Sequence, residues 1–238
     1  MISHPKPTAR VAGLAYLIIF IAAPFAEMFV RSGAIVRGDA AATAASILAS
    51  ESLWRLAFAA ELVNAACDAI VAVLLYELLK PAGRAVSLLA AVFRLVLVAL
   101  AAVKTLLHIA PLHLLSGADF MAGFTPEQLQ GLSYLALRLH GEAYDVALFF
   151  FGVHCVLIGW LIARATFLPR IFGWLLVFAG LCYLFNTLAG ALAPEFARTL
   201  FPWILLPALP AEGGLTLWLL IMGVDAQKWR EQAEAAAR

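Results

Sequence analysis

The sequence predicts an all-α protein, a polytopic bundle of about six membrane-spanning helices. Of its 238 residues 64% are hydrophobic and only 13% are charged, against roughly 25% charged in a soluble domain. The mean hydropathy is +0.95. The apolar residues form stretches of about 20, long enough to cross the hydrocarbon core of a bilayer as helices, and no stretch alternates with the period of a strand.

Six apolar stretches define the predicted spans. They are Val11–Val30, Leu53–Leu79, Val86–Ala110, Gly141–Ala163, Ile171–Ala193 and Leu200–Val224. No linker or low-complexity segment divides the chain, so residues 1–238 are predicted to form one integral membrane domain. Lys6 and Arg10 before the first stretch resemble the start of a signal peptide. Because that stretch is long enough to span, we expect a retained first helix.

Two short interfacial helices are predicted outside the spans. Asp39 can cap an alanine-rich helix that runs to about Ala49. Thr125 and Gln128 make a capping-box start for a second. A helix unbroken from Thr125 to Ala163 would measure roughly 58 Å, nearly twice the hydrocarbon thickness, so a bend near Gly141 or an outward projection is expected.

The last span is predicted to be a broken helix. Proline cannot donate a backbone hydrogen bond, and Pro207 and Pro210 lie close before Glu212, Gly213 and Gly214. Broken segments at membrane depth are tolerated where they line a cavity or are buried by protein. Only a kink at Pro24 is expected in the first three spans, so the sequence shows no convincing inverted repeat of the kind found in transporters.

The positive charges predict the orientation. Lys80, Arg84, Arg164 and Arg170 fall in connections on the same side as both termini. Lys and Arg resist translocation, so both termini are predicted to be cytoplasmic, in a bacterial cytoplasmic (inner) membrane. The formal net charge of +1 gives no sign of nucleic-acid binding, and the sequence predicts no particular oligomer.

Acids in the second span face bases in the third. Glu61, Asn64 and Asp68 share one helix face, and Arg94 and Lys104 lie in one sector of the next span. In a helical hairpin, residues at the same depth on the two helices have residue numbers that add up to a constant. The two residue numbers add up to nearly the same value for Asp68–Arg94 as for Glu61–Lys104, so both pairs are predicted to form. Ionisable groups inside spans suggest a functional site. The alternative is an ion pair that merely locks the hairpin.

Glu212 lies near the middle of the sixth span with no base in its own helix. Proton exchange or acid–base chemistry would use such a carboxyl group. The alternative is a protonated Glu212 that hydrogen-bonds carbonyls freed by the prolines.

The histidines allow a metal site but do not specify one. His108, His140, His154 and Asp145 carry imidazole and carboxylate groups that suit zinc. No His-x-x-x-His motif occurs, and single histidines in spans are more often helix–helix hydrogen-bond partners. No cofactor is therefore predicted, with zinc as the less favoured alternative.

Several short motifs carry a family resemblance. They are Ala9-Arg10-Val11-Ala12-Gly13, Gly38-Asp39-Ala40-Ala41-Ala42-Thr43-Ala44, Glu51 with Arg55, Leu79-Lys80-Pro81, Phe93-Arg94-Leu95, Leu168-Pro169-Arg170, and Glu212 followed by Leu217-Trp218-Leu219. In these the chain resembles an uncharacterised bacterial family of small polytopic membrane proteins, a domain of unknown function. The resemblance implies a helical membrane fold and assigns no reaction.

The favoured functional hypothesis is a polar cavity in the outer half of the bilayer that binds a lipid or another amphiphilic small molecule. The alternatives are an intramembrane enzyme, with Asp68, His154 and Glu212 as candidate catalytic residues, a proton-coupled transporter, and a scaffold for another membrane protein. The predicted ligand-binding residues are Glu61, Asn64, Asp68, Arg94, Lys104, His108, His140, Asp145, His154, Asn186 and Glu212.

Overall fold

The computed structural model describes residues 4–237, which are largely helical and contain no strand. Six of the helices are long and apolar enough to cross a membrane, which confirms the predicted fold class. In chain order they are Pro5–Ala34, Glu51–Ala82, Arg84–Leu114, Pro126–Arg164, Arg170–Leu192 and Trp203–Ile221. We refer to them as the first to sixth spans.

The first predicted interfacial helix is confirmed as Ala40–Ala49. The Asp39 carboxylate accepts a hydrogen bond of 2.8 Å from the backbone N–H of Ala42. Gly38, with φ +80°, makes the turn before it. The backbone N–H of Gly38 donates to the Tyr134 hydroxyl at 3.0 Å, so this connection is tied to the fourth span.

The second predicted interfacial helix is not a separate element. Its capping box forms, since the Thr125 backbone N–H donates to Gln128 Oε1 at 2.9 Å. The helix then continues from Pro126 to Arg164, 39 residues, with no interruption at Gly141. A single glycine costs only about 1 kcal/mol relative to alanine, too little to end a helix that continues into an apolar span. The outward projection stays a prediction.

The first and sixth spans are both irregular. In the first, the α-helix ends at Pro24 and a π-helix covers Phe25–Arg31. In the sixth, a short 3-10 helix at Trp203–Leu205 precedes a turn, a π-helix at Leu209–Gly213 and an α-helix from Gly214. The interruption predicted at the prolines is present. The π-helix after Pro24 is more than the expected kink, and each π-helix carries one glutamate.

Two further short helices lie after the fifth span. Pro194–Leu200 lies between the fifth and sixth spans, and Ala226–Ala235 follows the sixth. Asp225 caps the latter, because its carboxylate accepts from the backbone N–H groups of Lys228 and Gln227, both at 3.1 Å. These hydrogen bonds lower the pKa of Asp225.

The described chain packs as two compact units. The larger unit contains residues 4–18, Cys67–Val98 and 146–237, and the smaller unit contains Ile19–Ala66 and Ala99–Asp145. The core of the smaller unit surrounds Trp54, which is 0% exposed, together with Ala26, Val30, Ala34, Ile47, Ala57, Leu112 and Leu137. The prediction of a single domain stays a prediction.

In the larger unit, the fourth and fifth spans meet backbone to backbone at glycines. A Cβ atom on Gly159 would lie 2.6 Å from the Gly173 carbonyl oxygen, and one on Gly180 would lie 2.7 Å from the Gly152 carbonyl oxygen. Small residues permit such approach between membrane helices, where apolar side chains gain little over lipid. These four glycines therefore hold the two spans at close range.

We expect Gly173→Ala to destabilise the protein by about 1–3 kcal/mol, the usual effect of overpacking a close contact. Gly190→Ala on the same helix is the matched control, since a Cβ there meets nothing within 4 Å. It should be neutral or stabilising because alanine favours helix. Thermal unfolding in detergent measures both, and equal midpoints for the two variants would contradict the close contact.

Candidate functional site

Two clusters of buried polar residues lie in the spans, one in each unit. The Arg94 cluster comprises Tyr16, Asp68, Arg94 and His154 in the larger unit. The Glu61 cluster comprises Glu61, Lys104, His108 and His140 in the smaller unit. The predicted pairs Asp68–Arg94 and Glu61–Lys104 both form, one in each cluster.

Arg94 is the centre of its cluster and is 1% exposed. Its Nε and Nη2 atoms donate to Asp68 Oδ1 at 3.1 and 2.6 Å. Its Nη1 donates to the Tyr16 hydroxyl at 2.6 Å, and the guanidinium carbon lies 4.6 Å from the centroid of the Tyr16 ring. The Arg94 guanidinium is thus neutralised by the Asp68 carboxylate, as a buried charge requires. It also lies within cation–π distance of the Tyr16 ring.

His154 completes the Arg94 cluster as a neutral imidazole. Arg94 Nη1 lies 3.1 Å from His154 Nε2. A guanidinium only donates, so Nε2 must accept, and the ring proton is on Nδ1. This Nδ1 lies 2.8 Å from the Ala90 carbonyl oxygen and donates to it. Both ring nitrogens of His154 are therefore engaged in hydrogen bonds, and the catalytic roles considered for His154 and Asp68 stay predictions.

Glu61 is the centre of the second cluster and is 5% exposed. Its Oε1 atom lies 3.2 Å from Lys104 Nζ, 3.3 Å from His140 Nε2 and 3.7 Å from His108 Nδ1. Both histidines are 0% exposed. One carboxylate oxygen is thus shared by an ammonium group and two imidazoles.

Trp54 fixes the orientation of His108. The two rings stack with their centroids 4.3 Å apart, and Trp54 Nε1 donates to the His108 carbonyl oxygen at 2.8 Å. His108 Nε2 lies 3.1 Å from the Trp54 carbonyl oxygen, which can only accept, so Nε2 carries the proton. In neutral His108 the lone pair of Nδ1 therefore faces the Glu61 carboxylate. Two acceptors face each other, an arrangement that a cation between them would stabilise.

The first span adds Glu27 to the surroundings of this cluster. Glu27 forms an ion pair with Arg31. Its Oε2 also lies 3.8 Å from Lys104 Nζ. Lys104 thus contacts two carboxylates, and its Nζ lies 5.2 Å from the centroid of the Tyr144 ring.

Several buried polar atoms of the smaller unit have no hydrogen-bond partner. Within the described residues they include Glu61 Oε2, His108 Nδ1, His140 Nδ1 and Ser133 Oγ. Each such atom costs about 1–3 kcal/mol when left unpaired in a protein interior. Several in one unit mark a place where a bound ion, water or ligand would supply the missing partners.

The Glu61 cluster has the composition and spacing of a metal site. One ligand atom each from Glu61, His108 and His140 lie within 4.8 Å of one another. Two imidazoles and one carboxylate suit zinc. The structure changes the ligand set considered from sequence. His108 and His140 come together with Glu61 rather than with Asp145. The two ring nitrogens of His154 contact Arg94 and the Ala90 carbonyl oxygen instead.

Glu212 is half-buried in the larger unit. Its Oε1 accepts a hydrogen bond of 2.7 Å from the Tyr183 hydroxyl. Asn64 and Asn186, the neutral members of the predicted ligand set, are also half-buried. The charged recognition set expected for an amphiphile is divided: Asp68, Arg94 and Glu212 belong to the larger unit, and Glu61 and Lys104 to the smaller.

Three important residues were not identified from the sequence as members of the site. Tyr16 and Trp54 lie among apolar residues in the sequence, as core aromatic residues typically do. Glu27 has a possible ion-pair partner in Arg31, four residues later. The Tyr16 hydroxyl and the Trp54 indole N–H could have indicated these two residues, because each group needs a hydrogen-bond partner when it is buried.

One known protein family matches almost the whole chain. The model of a family described as Domain of unknown function (DUF4386) matches residues 11–223. No curated protein and no solved structure matches.

Proposed function

We propose that this chain, which belongs to the DUF4386 family of unknown function, is a membrane metalloprotein that binds Zn²⁺ through Glu61, His108 and His140. The observation that carries the proposal is the meeting of these three buried ligand atoms within 4.8 Å. The orientation of His108 supports it, since a zinc-bound histidine typically donates its other ring N–H to a carboxylate or carbonyl oxygen. The Trp54 carbonyl takes that role here.

The ligand number favours a catalytic over a purely structural zinc site. Structural sites usually have four protein ligands, whereas catalytic sites have three and leave one position for water or substrate. A zinc ion held by these three residues would act as a Lewis acid, which would activate water and polarise a substrate oxygen. We therefore propose an intramembrane hydrolase.

The protein groups around the ligands have separate tasks in this proposal. Trp54 orients His108, and Lys104 balances the charge of Glu61 and Glu27. Glu27, whose Oε2 lies 3.8 Å from Lys104 Nζ, would be the second carboxylate of the site and would accept a proton from water in this proposal. Because the three ligands lie within membrane spans, the substrate class that fits is a membrane-dissolved amphiphile with an ester or phosphoester bond.

The positive charges of the connections support a bacterial cytoplasmic membrane with both termini cytoplasmic as the location. A reporter fused to the C-terminus tests this orientation. A fluorescent signal from the cytoplasm is expected, and an active periplasmic phosphatase fusion would contradict it.

Metal content tests the zinc site directly. The protein is purified in a mild detergent without chelator, and zinc is measured by mass spectrometry of the native protein. We expect a single zinc ion in the wild type and its loss in Glu61→Gln and His108→Gln. His113→Gln is the matched control, because His113 is an exposed histidine on the same span as His108.

Two outcomes would contradict the zinc site. One is a wild-type protein that takes up no zinc even when zinc is titrated. The other is zinc that remains in both ligand variants. Hydrolase activity needs a further measurement, the release of product from a panel of lipid esters and phosphoesters. Product from the wild type but not from Glu61→Gln is expected, whereas retained lipid without product would favour the amphiphile-binding alternative.

A further inference from the structure

We infer that Glu212, Tyr183 and Thr216 of the larger unit form a binding site for a small monovalent metal cation, with sodium as the ion to test. The site lies in the fifth and sixth spans and is separate in residues and chemistry from the proposed zinc site. It does not depend on the proposed function.

The carboxylate of the site is held in place without a basic residue. Tyr183 donates its hydroxyl proton to Glu212 Oε1 at 2.7 Å, so the phenolic oxygen lies directly beside the carboxylate. Within residues 4–237, no Lys, Arg or His forms an ion pair with Glu212. Among these residues, Glu212 therefore has no basic side chain in direct contact that would neutralise a negative charge inside the span.

Thr216 is an independent sign of a missing partner. It is 2% exposed, and its Oγ1 has no hydrogen-bond partner among the described residues. A threonine in a helix ordinarily donates to the carbonyl oxygen four residues earlier, here that of Glu212, but Thr216 does not. Four residues is one helical turn, so the hydroxyl lies on the same face as the Glu212 side chain.

The local backbone places these groups in an irregular segment. Glu212 lies in the π-helix Leu209–Gly213, and Thr216 lies in the first turn of the α-helix that follows. Single π-helical turns occur often at functional sites. In transporters, interrupted membrane helices commonly provide ion sites.

The ligand chemistry selects the ion. Carboxylate, phenol and hydroxyl oxygens are hard ligands that suit alkali or alkaline-earth cations. A single carboxylate balances one positive charge, and a divalent ion would leave one charge uncompensated in a low-dielectric interior. An organic ammonium ion needs more room than the segment offers, since Ala211 and Leu215 are 0% and 1% exposed and Phe172 packs on Gly214.

Thermal unfolding of the detergent-solubilised full chain tests the site. Sodium chloride is compared with choline chloride at equal ionic strength, so that general salt effects cancel. A bound ion stabilises the folded state, and we expect the unfolding midpoint of the wild type to rise with sodium and then saturate. Binding of radioactive sodium to the same sample provides a second measurement of the site.

Variants connect the response to these residues. Glu212→Gln and Thr216→Val should lose the sodium-dependent rise, and Thr216→Ser should keep it. Thr105→Val is the matched control, because Thr105 is also 2% exposed but its hydroxyl donates to the Ala101 carbonyl oxygen at 2.8 Å. Zinc content should be unchanged in all four variants, so failure of this inference is distinguishable from failure of the zinc site.

The inference is overturned if sodium and choline give the same wild-type midpoint and no radioactive sodium binds. It is also overturned if the sodium response survives in both Glu212→Gln and Thr216→Val. An unfolding midpoint that responds to pH but not to sodium would also overturn it, and would indicate that a proton, not a metal cation, neutralises Glu212.

Discussion

Asp68→Asn will destabilise the protein by about 3–5 kcal/mol, the usual loss when one partner of a buried ion pair is removed. Arg94 is 1% exposed and two of its nitrogens donate to Asp68 Oδ1. Without that carboxylate a full positive charge stays buried, and the hydrogen-bond partners that remain to it among the described residues, Tyr16 and His154, are neutral. Unfolding in a denaturing detergent, followed by circular dichroism, measures the loss.

A double variant separates the charge from the packing. Asp68→Asn combined with Arg94→Gln removes both charges, so it should recover part of the stability lost in Asp68→Asn. A double variant no more stable than Asp68→Asn would contradict this explanation. Glu195→Gln is the matched control, since Glu195 pairs with Arg198 on the surface, where both side chains are mostly exposed and ion pairs contribute little.

Trp54→Ala will lower the zinc affinity of the proposed site by about 10–100-fold, the typical effect of removing a residue that orients a metal ligand. The substitution removes the stacked ring and the N–H that donates to the His108 carbonyl. His108 then gains rotational freedom, which must be lost again when zinc binds. Competition with a fluorescent zinc chelator measures the change in affinity.

Two further variants distinguish orientation of His108 from general loss of stability. Trp54→Phe keeps a stacking ring, so its zinc affinity should lie between those of the wild type and Trp54→Ala. Trp229→Ala is the matched control: Trp229 is 2% exposed and its Nε1 donates to the Leu78 carbonyl oxygen at 2.9 Å. It should lower stability and leave zinc affinity unchanged. Equal loss of affinity in Trp54→Ala and Trp229→Ala would show that stability, not orientation, controls the site.

The sequence was sufficient for the fold class because span length and composition depend only on local residues. It was also sufficient for both ion pairs, since the second and third spans are consecutive and a short connection forces them to run antiparallel. The correspondence of Asp68 with Arg94 and of Glu61 with Lys104 then follows from counting along two helices.

Contacts between distant parts of the chain could not be obtained in the same way. His140 lies 79 residues from Glu61, on a span whose rotation no local pattern defines, so the sequence grouped it with His154 and Asp145 instead. The π-helix at Phe25–Arg31 could not be predicted for a related reason. Pro24 predicts an irregularity in the helix, but whether it is a kink or a π-helix depends on the packing around the segment.

Pairing acids of the second span with bases of the third has a consequence for how the protein enters the membrane. A lone acid or base at the centre of an inserting helix costs roughly 2.5–3.5 kcal/mol on translocon scales. Asp68 meets Arg94, and Glu61 meets Lys104, in the very next segment to be synthesised. Insertion of the two spans together, as a hairpin with internally neutralised charges, avoids most of that cost. The translocon would therefore release them to the lipid as a pair rather than one after the other.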